Sequence, residues 1–194
     1  MELNIAKTKH LFIRSSADAH HLSVPSIPFS PNVSYLGVIL TDRWKWKEHF
    51  KRISARASQR LHGIRVLRSS LSRKQLASVY TSQIRSILEY ASPVFSSIKS
   101  SKLRILEKVQ DRCHRLICGR HCSCEMFPSL HIRYDKLALK LFLEITRNSG
   151  HPLRSLIPSS LPPGRLSMPL PRNVRRKETF KFKAIRLFNE RIKR

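Results

Sequence analysis

Tyr35-Leu36-Gly37-Val38-Ile39-Leu40, followed at once by Trp44, Trp46 and His49, is the stretch on which the reading of the whole chain turns. Val33, Tyr35 and Ile39 alternate with Leu36, Val38 and Leu40, and the β-branched and aromatic content predicts one strand over 33–40, buried on both faces. Gly37 inside such a strand marks a bulge, or a place where another backbone or a ligand comes close. Upstream lies a proline-broken connection, and downstream the pattern turns helical almost to the end. Residues 35–49 thus divide a small β part from a large basic helical part.

Working outward, Lys9-His10-Leu11-Phe12-Ile13-Arg14 reads as a short strand, with Leu11 and Ile13 on one side and Phe12 on the other. Residues 15–32 carry Pro25, Pro28 and Pro31. They are long for a hairpin connection but still let 10–14 pair with 33–40. Phe12 and Tyr35 are expected in a core rather than on a base-stacking surface.

From Lys47 the period changes. Phe50, Ile53, Ala57, Leu61, Ile64 and Leu67 form the apolar stripe of a helix over about 47–68, with a kink or early end expected at Gly63. Arg52, Arg56 and Arg60 make an i, i+4 row on another face. Ser72 and Gln75 form a capping box for a second helix with Leu76, Val79, Tyr80, Ile84, Ile87, Leu88 and Ala91 inward, stopped by Pro93. A third opens at Ser100 or Ser101 and ends at Gly119; a fourth covers about 133–147. Six prolines in 151–173 predict a linker or extended strap. Phe180, Ala184, Leu187, Phe188 and Ile192 then space a basic helix within 174–194. The chain divides as 1–46, 47–150, 151–173 and 174–194.

Thirty-eight Lys and Arg against 12 Asp and Glu leave a net charge of +26. Such a surplus repels itself in a compact state and points to a polyanionic partner, most simply nucleic acid. Anionic membrane is the other candidate, but no apolar run approaches the ~20 residues of a spanning helix. The first residues lack a secretory h-region, and Glu2 and Asp18 interrupt a transit-peptide pattern, so a reduced intracellular setting, nuclear or cytoplasmic, is expected.

Cys113, Cys118, Cys122 and Cys124 crowd together, with His114, His121 and His131 near. They do not form two C-x-x-C pairs at a usable distance, nor a retroviral-type knuckle, and Cys113 and Cys118 fall on the helix stripe. No metal site is expected from that spacing. No P-loop, G-x-G-x-x-G, H-E-x-x-H or G-x-S-x-G is present either.

A resemblance runs through these residues in order. Asn4, then Lys7-Thr8-Lys9, Tyr35-Leu36-Gly37-Val38, Trp46 and His49 come first. Leu88-Glu89-Tyr90-Ala91-Ser92-Pro93-Val94, the run Gln110-x-x-Cys113-x-Arg115-x-Ile117-Cys118-Gly119, and the segment Arg176 to Asn189 follow. Together they resemble the C-terminal palm and downstream helical region of a non-LTR (LINE, jockey-like) retrotransposon reverse transcriptase, over nearly the whole chain.

The resemblance implies part of a right-hand polymerase: a palm edge, a helical thumb and a basic C-terminal helix. The expected class is mainly α with a small antiparallel β-hairpin (α+β). Lys7 falls at the palm lysine that serves the family as a proton donor, and Tyr35-Leu36-Gly37 on the primer-grip hairpin that holds the primer 3′ end. The helices from 47 onward fall on the thumb. The expected nucleic-acid-binding set is Tyr35, Leu36, Gly37, Arg52, Arg56, Arg60, Arg175, Arg176, Lys181 and Lys183. The family's paired metal-binding aspartates lie upstream of the matched positions, while Asp18, Asp42, Asp111 and Asp135 are isolated. Full-length enzymes of the family use Mg²⁺; this chain is expected to hold no cofactor and to be inactive alone. Its expected partner is template–primer RNA and DNA, with no membrane. The competing expectation is a stand-alone basic protein that coats RNA or sits in a ribonucleoprotein.

Overall fold

The computed structural model describes residues 4–13, 25–122, 124, 126–158, 160–161, 164–168 and 179–192. The chain falls into two compact units, Met1–Arg52 and Ile53–Arg194.

In the first unit Asn4 caps a 3₁₀ turn, Ile5–Lys7, its Oδ1 accepting the Lys7 N–H at 3.2 Å. The strand expected over 9–14 does not form among the described residues. His10 makes a single parallel bridge to Phe29, through its N–H to the Pro28 carbonyl at 3.1 Å and its own carbonyl to the Ser30 N–H at 2.8 Å. The single strand expected over 33–40 is a hairpin instead. β1 (Asn32–Tyr35) and β2 (Val38–Thr41) pair antiparallel, Val33 opposite Leu40 and Tyr35 opposite Val38. Leu36 and Gly37 have φ of 46° and 77°, the two positive values of a type I′ turn, and a continuous strand cannot contain them. Burial on both faces fails with it: only Val38 of the hairpin is buried.

Thr41 closes the next turn, its Oγ1 accepting the Lys45 N–H at 2.8 Å, and α1 (Lys47–Leu67) follows. The helix passes through Gly63 without a break, since its stripe of Ile53, Ala57, Leu61 and Ile64 is buried along its length. Ser72 and Gln75 form the capping box of α2 (Arg73–Tyr80) as expected. A π-helical turn, Thr81–Arg85, and α3 (Ser86–Glu89) continue it.

That π turn has a cause in the sequence. Leu76, Tyr80, Ile84 and Leu88 are all buried at a strict spacing of four. An α-helix of about 3.6 residues per turn rotates such a series off its face, and one wider turn restores it. Pro93 does not stop the helix. Tyr90 turns extended, Ala91 takes φ 54°, and Pro93 then sits in the first turn of α4 (Ser92–Phe95), where its missing N–H costs nothing.

α5 (Ser100–Cys118) ends at Gly119, whose φ of 93° suits glycine. α6 (Leu130–Arg147) is capped by Ser129 and buries Leu130, Tyr134, Ala138, Phe142 and Ile145; Leu137 and Leu141 are only half-buried. The proline-rich stretch carries more structure than a linker. It holds a 3₁₀ turn at Arg154–Leu156 and the short pair β3 (Ser160–Leu161) and β4 (Arg165–Leu166). Leu166 joins Phe142, Ala184 and Ile185 in a core against α7 (Phe180–Ile192). The molecule is therefore mainly helical with a small antiparallel hairpin.

Candidate functional site

Among the described residues of the first unit, the hairpin tip is the most exposed apolar feature. Tyr35 is 65% exposed and Leu36 73%, which corrects the expectation that Tyr35 lies in a core. Leu36 holds a left-handed conformation that costs an L-residue about 1–2 kcal/mol. The hairpin is tied to α1 from below. His49 is buried, and its Nδ1 accepts the Ile39 N–H at 3.3 Å, which leaves the imidazole neutral with its proton on Nε2. Burial lowers the His49 pKa, and the neighbouring Arg52 lowers it further. Arg52 itself donates to Ser34 Oγ at 3.2 Å.

Arg52, Arg56 and Arg60 are exposed on the side of α1 away from its buried stripe. The ion pairs of basic side chains among the described residues involve Arg43, Lys51, Arg85, His131, Arg133, Lys183 and Arg186, not Arg56 or Arg60. Lys7 is exposed on its 3₁₀ turn. Arg175 and Arg176 lie outside the described residues. Lys181 is half-buried, and Lys183 is not a surface group at all. Its ammonium turns into the core, 6% exposed as a residue, and pairs with Asp135 Oδ1 of α6 at 2.8 Å. That removes Lys183 from the nucleic-acid set.

A basic feature that the linear reading did not single out replaces it. An open groove is lined by Lys136, Leu139, Lys140, Leu143, Glu144 and Arg147 of α6, the following Asn148, and Arg191 of α7, four cations against one acid. The signal was present as the i, i+4 pair of lysines on the helix at 133–147, but the neighbour that completes the groove is far away in sequence.

Two of the segments behind the family resemblance do packing work. Glu89 accepts both Arg133 Nε and Nη2, at 2.7 and 2.8 Å, and Arg85 Nε lies 3.3 Å away, a half-buried clamp between α3 and α6. Gln110 is buried, accepts the Tyr80 hydroxyl at 2.6 Å and donates to the Pro128 carbonyl at 3.1 Å. Among the described residues no group of three or more carboxylates gathers. Asp42 follows β2, Asp111 is on α5, and Asp135 on α6 is taken by Lys183. Two Mg²⁺ ions held a few ångströms apart need clustered carboxylates. The described residues do not fit that pair of ions, so no phosphoryl-transfer step is assigned to them.

No known protein family, characterised protein or solved structure matches this chain.

The cysteines do gather. His114 and Cys118 lie one turn apart at the end of α5, Gly119 reverses the chain, and Cys122 and Cys124 return to them. Donor atoms of His114, Cys118, Cys122 and Cys124 all lie within 4.8 Å of one another. Cys122 Sγ is 2.7 Å from Cys124 Sγ, and Cys124 Sγ is 3.6 Å from His114 Nε2, which also meets the Cys124 carbonyl oxygen at 2.8 Å. The hydrogen bond between the two thiols lowers the Cys122 pKa and pushes Cys124 up to about 11. Phe127 stands edge-on to the His114 ring and packs on Tyr80, centroids 6.3 and 4.2 Å apart respectively. Cys113 stays out of the group; it is fully buried, and burial pushes its thiol up to about 12. His121 and His131 are outside it too. The set combines a helical i, i+4 pair with a C-x-C, a pattern that a search for paired C-x-x-C motifs passes over.

Proposed function

We propose that this chain is the palm edge and thumb of a reverse transcriptase of the non-LTR retrotransposon kind, binding template–primer nucleic acid without carrying out nucleotide transfer itself. The observation that carries the reading is the hairpin tip, where Tyr35 and Leu36 are the two most exposed large apolar residues described. They stand at a tight turn at the sequence position that resembles a primer grip. A protruding aromatic offers a stacking face worth about 1–3 kcal/mol per base, insensitive to sequence. The exposed arginines of α1 and the basic groove on α6 supply the sequence-independent attraction to phosphate. No described helix is long and apolar enough to cross a bilayer.

The turn permits a test that separates binding from folding. Leu36→Asn creates Asn-Gly, the pair best suited to a type I′ turn, and relieves a left-handed leucine; the hairpin should become more stable by roughly 1 kcal/mol. Combined with Tyr35→Ala, the same change should weaken binding to a recessed 3′ end by about tenfold or more. Binding to a long blunt duplex should change much less. The unmodified chain with template, primer, Mg²⁺ and nucleotides should extend nothing above background. Equal affinity of the double variant for the recessed end would refute the primer-grip assignment and leave general basic RNA binding. Primer extension lost in Lys7→Ala would refute the non-catalytic part.

A further inference from the structure

The convergence of one imidazole and three thiols at the end of α5 has no role in the nucleic-acid reading, and the inference drawn from it does not depend on that reading. We propose that His114, Cys118, Cys122 and Cys124 form a structural zinc site that staples the loop after α5 to the helix end.

The donor set is the first argument. Three sulfurs and one nitrogen are a Cys₃His complement, the closed four-coordinate set that Zn²⁺ takes in structural sites. Soft thiolates and an imidazole also select against Mg²⁺ and Ca²⁺, which take oxygen ligands.

Distance is the second. Zinc–sulfur bonds of about 2.3 Å and zinc–nitrogen bonds of about 2.0–2.1 Å place tetrahedral ligands about 3.5–3.8 Å apart. The four donors already lie within 4.8 Å of one another. Cys122 and Cys124 must part by about 1 Å from their 2.7 Å contact to share a metal at those bond lengths. They stand on a loop, one half-exposed and the other exposed, where that movement is easy. His114 Nε2 meets the Cys124 carbonyl as an N–H donor; with that proton moved to Nδ1 its lone pair would go to the metal, and the three thiols would release their protons to solvent.

The surroundings supply the third argument. Two ligands stand one turn apart on a helix, and Phe127 packs edge-on against the His114 ring. Three thiolates around Zn²⁺ leave a net charge of −1, and Arg115 and Arg120 flank the ligands in sequence. The loop between Gly119 and Ser129 has no regular secondary structure where it is described. A cross-link there holds Phe127 against Tyr80 and keeps Pro128 where Gln110 donates to its carbonyl.

The experiment starts with the full chain, purified under reducing conditions without added metal. It should carry a single zinc. With zinc bound, Cys118, Cys122 and Cys124 should resist alkylation as read by mass spectrometry, and all three should react after treatment with a chelator. Co²⁺ in place of Zn²⁺ should give thiolate-to-metal charge-transfer bands and the intense visible absorption of a tetrahedral site. His114→Ala and Cys122→Ser should each weaken zinc binding at least tenfold, while His121→Ala and Cys113→Ala leave it unchanged. If a ligand variant fails to fold, the alkylation pattern and cobalt spectrum of the unaltered chain still decide. A metal-free chain with three reactive thiols that takes up no added Zn²⁺, a Cys122–Cys124 disulfide under these conditions, or loss of zinc in His121→Ala would each overturn the proposal.

Discussion

His49 is 1% exposed, and its Nδ1 can accept the Ile39 N–H only while the ring is neutral. Burial, then Arg52, lowers its pKa below the ordinary 6.5. The unfolded chain therefore binds the proton more tightly than the folded one. Stability from this group is complete above about pH 6.5 and is lost as pH falls from there through the folded pKa. Protection of the Ile39 amide from hydrogen exchange should decrease over that window. The difference from a His49→Gln chain isolates the effect: the variant should be less stable at neutral pH and show a flatter dependence. Parallel pH curves for the two chains would exclude His49 as the cause.

Secondary-structure elements show how periodicity is obeyed and how it is adjusted. The four-residue spacing of Leu76, Tyr80, Ile84 and Leu88 is met by a π turn, and α1 keeps an ordinary stripe through Gly63. On the far side of α1 the exposed row Arg52, Arg56 and Arg60 can be neutralised without touching that stripe. If each arginine meets one phosphate, a triple Arg→Gln chain should bind duplex DNA more weakly at low salt. The slope of log K against log salt should fall by about 0.9 per lost contact, or about 0.7 on a single strand. The total reduction is then roughly 2–3 units on a duplex, with helicity kept and the loss similar across sequences. Circular dichroism with salt-titrated binding measures both halves, and an unchanged slope would mean a solvated face.

Across the whole chain, a charge of +26 leaves few acids to neutralise it, and two of them, Glu89 and Asp135, join one helix to another. Glu89 joins α3 to α6, and Asp135 joins α6 to α7 through Lys183. Asn189 does the same for the strap: its Nδ2 donates to the Leu166 carbonyl and its Oδ1 accepts the Leu166 N–H, both at 2.9 Å. Because Lys183 is buried, Asp135→Ala should strand an ammonium and destabilise the chain by about 3 kcal/mol. Replacing both partners, Asp135→Leu together with Lys183→Met, should be nearly neutral, because no buried charge is then left unpaired. Chemical denaturation of the two variants compares them directly; equal losses would show that the pair contributes mainly through attraction.

Local chemistry was enough to determine the long helices, though not the π turn or α4. The capping box at Ser72 and Gln75, the stripes of α1 and α5, the glycine stop at Gly119 and the helical spacing of the tail depend on neighbours three or four residues away. Tertiary structure decided what depends on residues brought from far off. Val33 to Leu40 has the composition of a strand, yet two left-handed residues fold it back on itself, leaving Tyr35 and Leu36 in solvent. Lys183 looks like one more basic residue until Asp135, distant in sequence, receives it. Cys122 and Cys124 acquire His114 and Cys118 as neighbours only because Gly119 turns the chain back along α5. Periodicity records which face of an element is buried, whereas a site is a meeting of side chains, and only the path of the chain in space brings them together.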